Sequence, residues 1–283
     1  MTGIPRYREW HGPALLSAGF RPFFLGSAVW ALVAIPLWLA LYDGSVRLPI
    51  MMQSAIWHPH EMVFGFAAAT VAGFMLTAIP NWTGRMPLQG WSLLGLVLLW
   101  AGGRIGVLIS AEIGPAAAMV LDLAFPVVFL AVVAREVLAG RNWRNLPMVA
   151  ALASLLLSNL LVHLQAVGVA DTAMAGNRWG IATVLMLISV VGGRIIPSFT
   201  RNWLARERPE IGSPAPFGKL DYAALTLTAI ALVAWIIVPE GKVTSWLCLV
   251  AGVALAVRLS RWQGLATLRE PLLWVLHLGY GWL

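Results

Sequence analysis

Long apolar runs separated by short polar turns dominate the chain. A membrane-spanning helix needs about 20 mostly apolar residues. Eight runs meet that length, at 22–42, 59–80, 90–110, 115–134, 146–168, 178–199, 221–239 and 244–260. Turns rich in Pro, Gly and Arg divide them, as in Asn81-Trp82-Thr83-Gly84-Arg85-Met86-Pro87. A ninth run opens at Pro271 and stops at Leu283, about 12 residues on and short of a full span. The pattern predicts an all-α fold, a polytopic transmembrane helix bundle of eight full spans plus an incomplete ninth. It reads as a single integral membrane domain over 1–283.

The charged residues orient that bundle. Arg6, Arg8, Arg21, Arg85, Arg135, Arg141, Arg144, Arg201, Arg206, Arg208, Lys219, Arg258, Arg261 and Arg269 fall on one side. Only Arg47, Arg178 and Lys242 fall on the other. Because Lys and Arg collect in cytoplasmic loops, the N-terminus is predicted to be cytoplasmic. The same asymmetry accounts for the net charge of +7 without a nucleic-acid partner. With 60% hydrophobic and 11% charged residues, a soluble domain is excluded. The first 20 residues lack a cleavable-signal layout, so the N-terminus is expected to be retained. A single cysteine, Cys248, rules out an internal disulfide and a Cys-x-x-Cys-His haem attachment.

Ionisable side chains inside apolar runs mark candidate chemistry, since each is costly there. The densest group is Trp57-His58-Pro59-His60-Glu61-Met62-Val63-Phe64-Gly65, at the outer end of the second run. Pro59 favours an extended His58 and a helix that begins beside it, with His60 and Glu61 in its first turn. At 1.5 Å per residue, Arg104 and Asp122 each lie about 10 Å below the outer ends of their runs, at matching depth for an ion pair. Asn159 and His163 share one face of the fifth run near its outer end. His277 stands apart in the ninth run, and His11 reads as a solvated cytoplasmic residue. Imidazole suits iron, copper and zinc, so His58, His60, His163 and His277 are the candidate metal ligands. For a bound cofactor the candidates are His58, His60, Glu61, Arg104 and Asp122. A histidine at this entrance can equally be an interfacial anchor. Gly65, Ala68, Ala69 and Ala72 form a small-residue face that suits either a flat cofactor or a closely packed helix. Gly192-Gly193-Arg194 repeats the Gly-Gly-Arg of 102–104, with Arg194 expected to reach the cytoplasmic surface. Ile79-Pro80 and Ile196-Pro197 end two runs alike, 117 residues apart, which hints at a four-helix repeat. No phosphate loop or zinc-protease motif is present.

Several of these motifs together resemble the NnrS family. They are Gly19-Phe20-Arg21-Pro22-Phe23-Phe24-Leu25, the Trp57-to-Gly65 stretch, and Ala78-Ile79-Pro80-Asn81-Trp82-Thr83-Gly84. Ser158-Asn159-x-x-x-His163, the run from Gly192 to Trp203, and Leu273-Trp274-Val275-Leu276-His277 match as well. The resemblance implies a bacterial inner-membrane protein of about twelve helices. It also implies association with non-covalent haem and with copper, and a link to denitrification and the response to nitric oxide. Against that family length the chain reads as the N-terminal two-thirds. A membrane transporter is the alternative, with the outer polar cluster as its substrate or ion site. Pro36 and Pro126 interrupt apolar runs as the broken helices of transporters do.

Overall fold

In the computed structural model, residues 10–84 and 87–283 are described, without the side chains of Asn81 and Trp82. Arg6, Arg8 and Arg85 of the charge pattern therefore lie outside the described residues. Among the described residues, eight helices are long and apolar enough to cross a membrane. The first, α1, is Phe20–Tyr42. The second, α2, covers 54–83 in three segments, an α-helix at Ser54–His60, a π-helix at Glu61–Ala67 and an α-helix at Ala68–Thr83. Then follow α3 (Trp91–Leu108), α4 (Pro115–Ala139) and α5 (Leu146–Ala166). The last three spans are α6 (Ala173–Glu207), α7 (Lys219–Ile237) and α8 (Lys242–Ser260). The short ninth run is α9, Pro271–Gly281. The all-α bundle of membrane-spanning helices read from the sequence is what the chain forms.

The helix ends follow local chemistry. Pro115 and Pro271 sit at the first helical position, where a missing N–H costs nothing. Gly84 closes α2 with a left-handed turn (φ 70°) that suits glycine. Pro36 and Pro126 lie inside unbroken helices. Pro59 does so too, which corrects the expected helix start: α2 begins at Ser54, one and a half turns earlier, and His58 is helical rather than extended.

The chain divides into two compact units, one ending at Gly180 and the other running Ile181–Leu283. In the first, α1 packs on α2, α3 on α4, and α4 on α5. Small residues set the approach. A Cβ on Gly103 would lie 3.0 Å from the Asp122 Cα, and one on Gly106 would lie 3.0 Å from the Leu121 side chain. Van der Waals packing drives association where lipid is as apolar as leucine, so small residues at the contact are what hydrocarbon favours. In the second unit α7 packs on α8 and α8 on α9.

Candidate functional site

Four helices of the first unit deliver six polar side chains to one buried point. From α2 come His60 and Glu61, from α3 Arg104, from α4 Asp122, and from α5 Asn159 and His163. None is more than 4% exposed. Arg104 Nη1 donates to Glu61 Oε2 at 2.6 Å, and its Nη2 donates to Asp122 Oδ1. Asn159 Nδ2 donates to Asp122 Oδ2 at 2.8 Å. His163 Nε2 lies 2.9 Å from that same oxygen. His60 is bracketed, with Nδ1 3.0 Å from Glu61 Oε1 and Nε2 3.0 Å from Asn159 Oδ1 and 3.2 Å from Asp122 Oδ2. The His60 and His163 rings meet edge to face, centroids 5.4 Å apart. Buried charges are tolerable only when paired and hydrogen-bonded, and here one guanidinium serves two carboxylates. The depth match between Arg104 and Asp122 becomes a direct ion pair, made possible by Gly103 beside it.

The cluster has the donor set of a metal site. His60, Asp122 and His163 each offer one ligand atom, all within 4.8 Å of one another. Neighbouring ligands on a four-coordinate ion with bonds of 2.0–2.1 Å stand about 3.3 Å apart. The Asp122 Oδ2 separations of 2.9 and 3.2 Å from the two imidazole nitrogens are close to that. Glu61 on Nδ1 of His60 is the carboxylate partner that commonly orients a metal-bound imidazole. Arg104 Nε and His163 Nδ1 are buried without a hydrogen-bond partner among the described residues.

The space beside the cluster takes a water-sized group and not a macrocycle. The cavity against Asp122 and Asn159, walled by Phe64, Phe125 and Phe129, holds about 20 Å³, room for roughly one water. Helix α1 packs against part of the small-residue side of α2, while Ala68 lines the cavity. Beside Gly65 stands Trp30, beside Gly73 stand Phe23 and Phe24, and Gly19 of the α1 entry meets Leu76. Ala69 and Ala72 are completely buried.

Two of the four histidines singled out as ligands stand outside the cluster. His58 is half-buried and stacks on Trp38, centroids 4.0 Å apart. His277 belongs to the second unit, where its Nε2 is 2.9 Å from Thr200 Oγ1. That unit has a polar cluster of its own, which sequence reasoning missed. Arg258, counted among the basic residues of the cytoplasmic side, is fully buried. Its Nε donates to Asp221 Oδ1 at 2.9 Å, and its Nη1 donates to Ser189 O and Tyr280 Oη, both at 2.8 Å. The ring of Trp262 lies 5.2 Å from the guanidinium carbon. The guanidinium beside Gly193 is thus that of Arg258, while Arg194 is exposed. Asp221, a carboxylate in the first turn of an apolar run, was the signal that could have found this cluster.

A family model described as NnrS protein matches residues 14–283. No curated protein and no solved structure matches the chain. The chain belongs to the NnrS family, whose link to nitric oxide applies to it as a multi-pass membrane protein.

Proposed function

We propose that this member of the NnrS family is a copper-dependent protein of nitric oxide metabolism or the nitrosative-stress response in the bacterial inner membrane. His60, His163 and Asp122 are its metal ligands. The observation that carries the reading is the convergence of three ligand atoms from three different helices within 4.8 Å. Two imidazoles with a carboxylate suit copper among the first-row metals, though the set also admits zinc and iron, and the family's association with copper decides between them. A copper ion would supply one-electron redox chemistry at this point.

The protein side of the site does the rest. Glu61 fixes the His60 ring so that Nε2 faces Asp122 and Asn159. Arg104 neutralises the outward oxygens of Glu61 and Asp122 and leaves Asp122 Oδ2 for the metal. Asn159 holds that oxygen in place. Haem, the other group the family implies, does not fit the cluster as packed.

Metal analysis on purified protein from copper-replete cells tests the reading. Wild type, His58→Ala and His277→Ala are expected to carry stoichiometric copper, while His60→Ala, His163→Ala and Asp122→Asn lose most of it. Copper at wild-type level in His60→Ala and His163→Ala would sink the assignment, and so would a copper-free wild type.

A further inference from the structure

The helix that carries His60 and Glu61 changes its winding immediately after them. Ser54–His60 is α-helical, Glu61–Ala67 is π-helical, and α-helix resumes at Ala68. A π-turn closes i→i+5 and takes in one residue more than an α-turn. Residues ahead of it are therefore carried about 100° round the axis relative to those behind it. That offset lets His60 and Glu61 face Arg104, Asp122 and Asn159 while Gly73 and Leu76 still face α1.

Around the change of winding the Ala68 N–H is shared between Val63 O and Gly65 O, and Pro59 has no N–H to give. Within a membrane a carbonyl served only by a shared donor gains from a further one, since an unsatisfied carbonyl there costs several kcal/mol. Side chains from two other helices donate on either side of the turn's start. Asn177 of α6 gives Nδ2 to Ile56 O at 3.1 Å, and Trp100 of α3 gives Nε1 to Gly65 O at 3.0 Å. Asn177 is 2% exposed and Trp100 8%. Gly65 itself leaves room for Trp30 and for the Glu61 carboxylate, since a Cβ there would lie 2.5 Å from Trp30 Nε1 and 2.8 Å from Glu61 Oε2.

We propose that Trp100 and Asn177 are positioning residues for the metal centre. By donating to Gly65 O and Ile56 O they hold the π-turn, and so fix the rotation at which His60 and Glu61 meet their partners. This rests on the copper reading above. Groups that orient a ligand without touching the metal typically contribute 10–100-fold in affinity.

Trp100→Phe and Asn177→Leu each remove one N–H and keep most of the volume. Copper(II) affinity is measured by chelator competition on folded, full-chain protein, alongside the EPR spectrum and the thermal midpoint. Each variant is expected to bind copper about tenfold more weakly or worse, with a changed EPR signature. Unchanged affinity and spectrum with only a lowered midpoint would mean a merely structural role and overturn the proposal. Should wild type bind no copper, the function reading falls, and ¹⁵N shifts of the His60 ring in metal-free protein decide the positioning. Shifts moved by both variants uphold it, and shifts left in place overturn it.

Discussion

Arg104 answers two carboxylates with one guanidinium, so it is the residue whose loss should cost most. Arg104→Met leaves Glu61 and Asp122 buried with no guanidinium opposite, and breaking a buried pair typically costs about 3–5 kcal/mol. A large fall in thermal midpoint is expected for the purified variant, and a midpoint like wild type would contradict the pairing. Gly103 gives a sharper comparison. Its added Cβ would press on the Asp122 backbone at 3.0 Å, whereas one on Gly102 meets nothing within 4 Å. Gly103→Ala should therefore destabilise by about 1–3 kcal/mol and Gly102→Ala by much less, measured by thermal unfolding in detergent. The ion pair itself was legible beforehand, because helical rise converts sequence position into depth. Which of His58 and His60 faces inward was not. They lie about 200° apart on a helix, so only one can join the cluster, and the choice depends on helical phase.

Hydrophobic run length located every span, since the bilayer imposes it on the chain. Phase within a span is a different matter, as α2 demonstrates. Pro59 suggested a helix start, yet Ser54–His60 continues through it. A π-turn adds a single residue to the winding and leaves no composition signal, so neither it nor the donors Trp100 and Asn177 could be read from the pattern. In the second unit the partner of Gly193 was equally hidden, because α8 brings Arg258 back from 65 positions along the chain. A Cβ on Gly193 would collide with that guanidinium, while one on Gly252 would meet nothing within 4 Å. Gly193→Ala should loosen the Asp221–Arg258 contact and raise proteolysis in the 208–218 turn, with Gly252→Ala as the unaffected comparison. Equal proteolysis of the two would contradict this.

At the scale of the whole molecule, the basic residues predict a cytoplasmic N-terminus and eight crossings. In a Cys248→Ser background, cysteines at Ser45 and Asp171 should react with an impermeant reagent from outside. One at Ser213 should react only after the membrane is opened, and the reverse pattern would contradict the orientation. Four helices are proposed to fold together around one bare-ion site made by His60, Asp122 and His163. X-ray absorption at the copper edge of the purified protein tests it most directly. Two imidazole nitrogens and at least one oxygen are expected at about 2.0 Å, with the imidazole scattering halved in whatever copper His163→Ala still retains. Sulfur scattering, or a wild-type spectrum retained in that variant, would contradict it.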